Sequence, residues 1–237
     1  MKLLTFAAAV ALSAAVAAPA SAAIFVNGSF ESPVVGGVIP GWSTAGSGSV
    51  DIVTTAQPSY GSPFTATDGR VFALLTAGSA DDYVTLAQTF TLTGNAIISF
   101  DAAFLAFDET SNQDGPDGLG YNDDGYVKIY DQSTQTIVFS SDVNAVGDYG
   151  HTDWTHLSQL LGAGTYTLEA GVRNVGDIPS PDFDPTYSSK LVVDNVTAAD
   201  APAGPVPEPA AWALMSLGFG ATGAALRGRR SAQPRTA

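Results

Sequence analysis

The clearest pattern in the sequence is the segment Gly-Thr-Tyr-Thr-Leu-Glu-Ala-Gly-Val-Arg-Asn at residues 164–174. Its larger apolar residues recur at every second position, with mainly polar residues between them. Successive side chains of a β-strand point to opposite sides, so this period of two predicts a strand with one buried face and one polar face. The expected buried set is Tyr166, Leu168, Ala170 and Val172, and the opposite set is Thr165, Thr167, Glu169, Gly171 and Arg173.

Similar short runs cover residues 23–200 and are separated by clusters of Gly, Pro, Asn, Asp and Ser. We find no sustained helical periodicity and no fixed-length repeat among them. The pattern predicts an all-β fold, a two-sheet β-sandwich of the jelly-roll type. The run 96–107 is apolar on both faces and is expected at the centre of a sheet. The expected strands are Ile24–Val26, Val50–Val53, Arg70–Leu75, Tyr83–Leu92, Ala96–Phe107, Gly125–Asp131, Thr136–Ser140, Trp154–Leu160, Gly164–Asn174 and Lys190–Ala198.

Residues 1–22 have the features of a secretory signal peptide. Lys2 supplies a positive charge, residues 3–18 are almost wholly apolar, and Ala20-Ser21-Ala22 offers the small residues that signal peptidase reads. We expect cleavage after Ala22 and export of the remaining chain across the inner membrane.

The other end combines a proline-rich linker, an apolar segment and a basic tail. Residues 201–209 contain four prolines, residues 210–226 are uncharged, and residues 227–237 contain four arginines. A helix over 210–226 would be about 26 Å long, a little short of a hydrocarbon core of about 30 Å. We expect a weak transmembrane helix whose arginines stay in the cytoplasm.

This C-terminal arrangement resembles the PEP-CTERM sorting signal. In that family the signal is recognised by exosortase, a membrane protease-transpeptidase of Gram-negative bacteria that make exopolysaccharide. The resemblance implies that the tail, the only membrane-held part, is removed and that the protein passes to the cell surface or extracellular matrix. A plain C-terminal membrane anchor is the alternative. The residues that carry the resemblance are Pro207, Glu208, Pro209, Trp212, Arg227, Arg229 and Arg230.

Charge and composition exclude several classes of function. Residues 23–206 contain 22 acidic and 4 basic residues, a net charge of about −18. Nucleic-acid binding is excluded, because it needs Lys and Arg to displace counterions from phosphates. The chain has no Cys, which excludes disulfides, thiolate nucleophiles and Cys-ligated zinc.

The central region also resembles galactose-binding-like jelly rolls, including several carbohydrate-binding modules. The resemblance implies that a face of the sandwich binds carbohydrate, here the exopolysaccharide of the cell. The insert at residues 108–124 departs from the compact versions of that fold. The matching motifs are Asn-Gly-Ser-Phe-Glu-Ser-Pro at 27–33, Pro-Gly-Trp at 40–42, Gly-Thr-Tyr-Thr-Leu at 164–168 and Leu-Val-Val-Asp-Asn-Val at 191–196.

The same resemblance implies a structural calcium ion that ties the first strand to the last. The matching positions are Glu31 and Asp194, with Asn27 or Asp68 assisting. A turn-capping Glu and an edge-facing Asp are the alternative.

A second candidate calcium site is the acidic stretch at 108–124. Carboxylates crowded into a loop without Lys or Arg repel one another, and calcium, with roughly six to eight oxygen ligands at flexible angles, would relieve the repulsion. The spacing does not match an EF-hand, and a solvated acidic loop is the alternative. The candidate ligands are Asp108, Asp114, Asp117, Asp123 and Asp124.

Two polar strand faces are candidates for carbohydrate binding. Tyr126 and Tyr130 share one face, with Lys128 between them. Glu169 and Arg173 share a face of another strand, about 13 Å apart and too far for a direct ion pair. Aromatic rings stack on the apolar faces of sugars and charged groups bind their hydroxyls, although ordinary sandwich surface is the alternative.

Signals of catalysis are weak. For His151 and His156, the only histidines, we can place no third metal ligand, and no nucleophile elbow precedes a helix. No pair of facing carboxylates, which a glycosidase needs, can be identified. We therefore expect a non-catalytic surface or matrix protein that binds exopolysaccharide weakly. A secreted polysaccharide hydrolase and a purely structural matrix protein are the alternatives.

The sorting hypothesis predicts the fate of a tail variant. Replacing Glu208 and Pro209 by Ala should leave the protein in the membrane fraction, whereas the unchanged protein should be released without the residues after about Pro209. Immunoblots of membrane and medium fractions measure this, and equal release of both forms would show that the tail is not a sorting signal.

Overall fold

The computed structural model describes residues 24–78, 82–109, 121–176 and 187–202, together with Ser216, Leu217 and Phe219. The predicted signal peptide, the Pro-Glu-Pro motif, Trp212, the arginine cluster and the acids Asp114 and Asp117 lie outside the described residues. Contacts divide the chain into residues 1–200 and 201–237. Within the described ranges, no helix is both long and apolar enough to cross a membrane.

The described part of residues 1–200 is built from two five-stranded antiparallel sheets, which confirms the predicted all-β, two-sheet architecture. The first sheet has the order β1-β6-β11-β8-β9, the second has β10-β7-β12-β5-β2, and β3 pairs with β4. The strands are β1 (Ser43–Ala45), β2 (Ser49–Val53), β3 (Thr55–Ala56), β4 (Phe64–Thr65), β5 (Phe72–Thr76), β6 (Val84–Leu92), β7 (Ala96–Leu105), β8 (Asp124–Tyr130), β9 (Gln135–Asp142), β10 (Thr155–Leu161), β11 (Gly164–Arg173) and β12 (Lys190–Asp200).

Both sheets bury their alternating apolar residues in one shared core. On β11, Leu168, Ala170 and Val172 are fully buried, as the alternation predicted. The second sheet contributes large rings to the same core, including Phe100 and Phe104. Burying each such side chain contributes about 1.5–3 kcal/mol relative to leaving it in water.

The central strand β7 is apolar on both faces because both faces are covered. It lies between β10 and β12, and one face packs in the shared core. On the other face, Ala103 and Leu105 pack in a smaller cluster with Phe64 of the β3–β4 hairpin. Trp154 closes this cluster, with its ring centroid 5.7 Å from that of Phe64.

One predicted strand is absent and four elements were not predicted. Residues 24–26 form bends rather than a strand. The backbone of Val26 is instead paired by a side chain, because its N–H donates to Gln88 Oε1 at 2.7 Å and its carbonyl accepts from Gln88 Nε2 at 2.9 Å. The unpredicted elements are the short strands β1, β3 and β4 and the single-turn helix α1 (Val143–Val146).

Replacing Gln88 by Leu should destabilise the domain. Gln88 is 6% exposed, and its loss leaves two backbone groups of Val26 without these partners. The expected loss is about 1–3 kcal/mol, or several degrees in the melting temperature. Gln132→Leu, at an exposed position in the β8–β9 turn, is the matched control. Equal melting temperatures for the two variants would contradict this role of Gln88.

Candidate functional site

The predicted carbohydrate-binding residues lie together on the outward face of the first sheet. Antiparallel pairing of β11 with β8 places Lys128 opposite Glu169 and Asp124 opposite Arg173. Their neighbours Val127, Leu168 and Val172 are buried in the core, so these polar side chains point the other way. We call this surface, formed by Tyr83, Asp124, Tyr126, Lys128, Tyr130, Glu169 and Arg173, the tyrosine face.

Two ion pairs cross the tyrosine face between β8 and β11. Lys128 Nζ lies 2.8 Å from Glu169 Oε1, and Arg173 Nε lies 2.8 Å from Asp124 Oδ2. Glu169 and Arg173 thus bind different partners, consistent with the spacing that separates them along the strand. The side chains of Lys128 and Glu169 are only 20% and 17% exposed, so solvent screens this pair less than a fully exposed one.

The hydroxyls of Tyr126 and Tyr130 are both held by the carboxylate of Glu169. Tyr126 donates to Glu169 Oε1 at 2.6 Å, and Tyr130 donates to Glu169 Oε2 at 3.1 Å. Lys128 Nζ lies 4.7 and 5.3 Å from the centroids of these two rings, within the range of cation–π attraction. Both rings are therefore fixed in place by one ion pair.

Tyr83 belongs to the same arrangement and was missed as a site residue. Its hydroxyl donates to Asp124 Oδ1 at 2.5 Å, and the guanidinium of Arg173 lies 4.8 Å from its ring centroid. Its position just before Val84 does place it on the polar face of that strand. What the sequence does not indicate is that β6 and β8 flank β11, which brings Tyr83 and Tyr126 within 4.8 Å, centroid to centroid.

Gly171 makes room for the ring of Tyr126. The two residues face each other across β11 and β8, and a Cβ added at Gly171 would lie 2.7 Å from Tyr126 Cζ. The ring can therefore lie close over the backbone of β11, an arrangement in which an aromatic side chain covers a glycine of the neighbouring strand.

Hydrogen bonding sets the protonation states on the tyrosine face. Burial alone would raise the pKa of Glu169, but hydrogen bonds from Lys128 and Tyr126 outweigh it and hold the pKa below 4.5. Burial and the hydrogen bond to Asp124 raise the pKa of Tyr83 to about 12. Burial and Glu169 likewise raise the pKa of Tyr126. At neutral pH Glu169 is therefore ionised and both phenols are protonated.

A cavity of about 640 Å³ adjoins the tyrosine face. Tyr126 and Lys128 form part of its wall, and strand β9 contributes Ser140 and the exposed side chain of Ile137. The volume is within the range of roughly 300–1,000 Å³ that small-molecule sites occupy. Polar and apolar groups line it together.

The two residues of the first calcium hypothesis both contact the segment 67–71. Glu31 Oε1 accepts hydrogen bonds from the backbone N–H groups of Arg70 and Val71 at 2.5 and 2.9 Å. Asp194 Oδ2 accepts from the N–H groups of Thr67 and Asp68 at 2.7 and 3.0 Å. These bonds partly balance both carboxylates, so a calcium ion would have to share their oxygens with the backbone.

The two residues expected to assist calcium binding, Asn27 and Asp68, make other hydrogen bonds. Asp68 contributes its backbone N–H to Asp194, and the side chain of Asn27 accepts from the N–H of Ser32 at 2.8 Å. Across residues 24–78, 82–109, 121–176 and 187–202, no three His, Asp or Glu side chains are grouped closely enough to hold a metal ion. Calcium at this position stays a prediction.

The described acids of the second calcium hypothesis each have protein partners. Asp123 is fully buried, and its carboxylate accepts from the N–H of Val175 and the hydroxyl of Ser189. Asp124 begins β8 and is paired with Arg173, and Asp108 Oδ1 accepts from the N–H of Glu109. Asp123 therefore joins the start of β8 to the segment before β12.

The fold is similar to carbohydrate-binding modules with β-sandwich folds. The module TmCBM61, solved with β-1,4-galactotriose, is 13% identical over 76% of this chain and all of its own, with a TM-score of 0.42. The xylan-binding domain of a family 22 module is 15% identical over 77% of this chain and 98% of its own, with a TM-score of 0.41.

Some similar structures are parts of enzymes. An arabinose-bound α-L-arabinofuranosidase is 8% identical over 74% of this chain, with a TM-score of 0.40, and the match covers 26% of the enzyme. No protein-family model matches the sequence, and no curated protein is similar to it at a significant level.

The lowered pKa of Glu169 predicts a specific acid sensitivity. Its folded pKa lies below the ordinary value of 4.5, so its ionised form stabilises the fold above about pH 4.5. This contribution disappears as the pH falls through the folded value. Glu169→Gln should therefore lose less stability than the unchanged protein as the pH falls below about 4.5.

Denaturant melts across this pH range measure the effect. The control is Asp153→Asn, which changes an exposed carboxylate just before β10 of the second sheet. Its free energy of unfolding should fall with pH as steeply as that of the unchanged protein. Parallel curves for Glu169→Gln and the unchanged protein would contradict the proposed network.

Proposed function

We propose that this domain binds a neutral polysaccharide weakly through the tyrosine face and does not cleave it. The observation that carries the proposal is the pair of tyrosines whose hydroxyls are both held by Glu169, one of which, Tyr126, lines a cavity of about 640 Å³. Aromatic rings in fixed positions present apolar surface that pyranose rings can contact.

Because the two rings are already fixed, less conformational entropy is lost when a ligand binds. Ordering a side chain on binding costs about 0.5–1.5 kcal/mol. Tyr126 and Tyr130 are ordered in advance by Glu169 and Lys128, which lowers that cost. The hydroxyls of a sugar chain can then bond to polar groups of the cavity wall, among them Asn122, Ser140 and Asp142.

The charge of the domain favours a neutral ligand. A net charge of about −18 between residues 23 and 206 repels anionic polymers and slows their encounter with the surface. On the tyrosine face, Lys128 and Arg173 are each neutralised by a carboxylate of the chain. Neither cation is therefore available to compensate an anionic sugar without breaking its own ion pair.

On the tyrosine face, the state of the two carboxylates supports a binding role over hydrolysis. A glycosidase needs one carboxyl group with a raised pKa to act as a general acid. Glu169 has a lowered pKa because it accepts hydrogen bonds from Lys128 and two tyrosines, and Asp124 is ion-paired with Arg173. These ion pairs suit a rigid binding surface. A polysaccharide hydrolase is the second candidate function.

We also propose that the protein is exported and sorted to the cell surface or matrix. Support comes from the apolar N-terminal segment and from the order of the Pro-Glu-Pro motif, apolar segment and arginines at residues 207–230. Signal peptidase and exosortase would be its partners during export. The host exopolysaccharide would then be the glycan nearest to the mature domain.

Affinity gel electrophoresis with the host exopolysaccharide and a panel of neutral glycans tests the binding proposal. The unchanged protein should be retarded. Tyr126→Ala combined with Tyr130→Ala should abolish retardation, whereas the double Phe variant keeps both rings and should retain most of it. Val35→Ala, an exposed apolar position outside the tyrosine face, is the control and should match the unchanged protein.

Three results would overturn this assignment. Absence of retardation by every glycan, with and without calcium, would favour a purely structural matrix protein. Retardation that survives the double Ala variant would place binding elsewhere. Release of reducing ends, lost on Glu169→Gln, would favour the hydrolase.

Calcium as a cofactor is a separate proposal with its own test. If Glu31 and Asp194 share an ion, millimolar calcium should raise the melting temperature and Glu31→Gln should remove most of the increase. A ligand at about 100 times its dissociation constant contributes about 2.7 kcal/mol, which a thermal melt resolves. If the acidic stretch 108–124 binds instead, Asp114→Asn with Asp117→Asn should remove the increase, and a melt indifferent to calcium and chelator would contradict both sites.

A further inference from the structure

Each sheet of the described sandwich ends in two edge strands, β1 and β9 in the first sheet and β10 and β2 in the second. The outer side of an edge strand carries backbone N–H and C=O groups that can pair with another strand. Proteins commonly prevent such pairing by keeping an edge short, by placing charges on it or by interrupting it with a β-bulge. The four edge strands of this domain differ in these features.

Three of the four edge strands carry such protection. β1 has only three residues. β2 has the exposed carboxylate of Asp51 at its centre. β9 contains a β-bulge, because its register with β8 shifts between Val127 and Lys128, and it ends at Asp142. These edges are therefore poor templates for a further strand.

The fourth edge strand, β10, has none of these features. Its seven residues pair with residues 96–102 of β7 in one unbroken register. It contains no proline, and no Asp, Glu, Lys or Arg occurs between Asp153 and Glu169. At about 3.3 Å per residue, β10 is a regular, uncharged edge about 20 Å long.

The outer side of β10 is open in the part of the chain that the structure describes. The backbone of β10 pairs with β7 alone, apart from the carbonyl of Leu160, which accepts a bond from Gln159 Nε2 at 3.2 Å. The side chains of His156, Ser158 and Leu160 are exposed, that of Leu160 by 59%. An incoming strand would thus find backbone donors and acceptors next to apolar surface.

The charge of the domain favours this edge for contact between two copies of the chain. A net charge of about −18 over residues 23–206 makes two copies repel each other. An uncharged strand can be brought against its own copy without placing like charges opposite each other. The carboxylate nearest to β10, that of Asp101, is 6% exposed and lies 2.7 Å from His156 Nδ1.

β10 is also complementary to itself in the antiparallel direction. Residues that lie opposite each other in such a pair share a face of the sheet. Ser158 is the middle residue of β10, so a two-fold axis at Ser158 is the alignment that pairs all seven residues of both copies. That alignment places the exposed Leu160 of each copy against the imidazole of His156 of the other.

We propose that a second copy of this chain binds to β10, with the two β10 strands paired antiparallel about Ser158. The two second sheets then join into one continuous sheet of ten strands. Because each copy contributes the same strand, the interface is isologous and closes at two subunits. The proposal does not depend on glycan binding by the tyrosine face.

Light scattering coupled to size-exclusion chromatography of the purified full chain measures this association. The mass should rise with concentration from that of one chain to that of two, with a dissociation constant between about 1 µM and 1 mM. Ser158→Glu places two like charges opposite each other and should weaken the dimer at least about fivefold. Ser49→Glu, the same change at an exposed position on the opposite edge of the same sheet, is the matched control and should dimerise like the unchanged protein.

Two results of this experiment would overturn the proposal. One is the mass of a single chain at every concentration, which would leave β10 as an edge for a different chain. The other is equal dimerisation of Ser158→Glu and Ser49→Glu when thermal melts show that both variants are folded. Association through the apolar tail would be the same in both variants, so it cannot produce a difference between them.

Single cysteines test the alignment without disturbing the edge. The chain has no Cys, so any disulfide in such a variant joins two copies through the introduced residue. Under mild oxidation Ser158→Cys should form a covalent dimer, because the two introduced side chains lie directly opposite each other. Leu160→Cys is more exposed, but its two copies would be about 13 Å apart along the strands and should not cross-link. Cross-linking at 160 as fast as at 158 would contradict the pairing.

Discussion

The antiparallel register between β8 and β11 is the constraint on which the outward surface of the first sheet depends. It places Lys128 opposite Glu169 and Asp124 opposite Arg173, and through them it fixes three tyrosines. A slip of one residue would turn every side chain of one strand to the other face. It would bury Lys128 in the core and expose Val127, so the core and the polar surface are specified by the same alignment.

Basic residues are few in this domain, and these pairings use half of them. Only four basic residues stand against 22 acidic residues between 23 and 206. Two of the four are on the tyrosine face, where each is shared between a carboxylate and an aromatic ring. Elsewhere the chain balances carboxylates with backbone N–H groups, as at Glu31 and Asp194.

Local alternation was sufficient to predict most of the strands and which of their faces are buried. Leu168 and Val172 are buried and Glu169 is not, because a period of two depends only on strand geometry. Short elements were missed, since two or three residues such as Thr55–Ala56 give no periodic signal. The expected strand at 24–26 is replaced by pairing with the side chain of Gln88, a long-range contact that no local pattern encodes.

The site was only partly predictable for the same reason. The sequence indicated the two polar faces that contain Tyr126 and Glu169, but strand order alone determines that they form one surface. Tyr83 meets Tyr126 through a contact between residues distant in the sequence. The loop acids were grouped by proximity in the chain, whereas the fold directs Asp123 inward and Asp124 toward Arg173.

A substitution at Gly171 would change the shape of this surface and leave the core unchanged. It faces away from the buried residues of β11, and any side chain larger than hydrogen would have to displace the ring of Tyr126. A change at this one position would alter the depth and outline of the surface while the neighbouring Ala170 and Val172 keep their packing. A single substitution in the middle of this strand would therefore reshape the surface with no change in loop length.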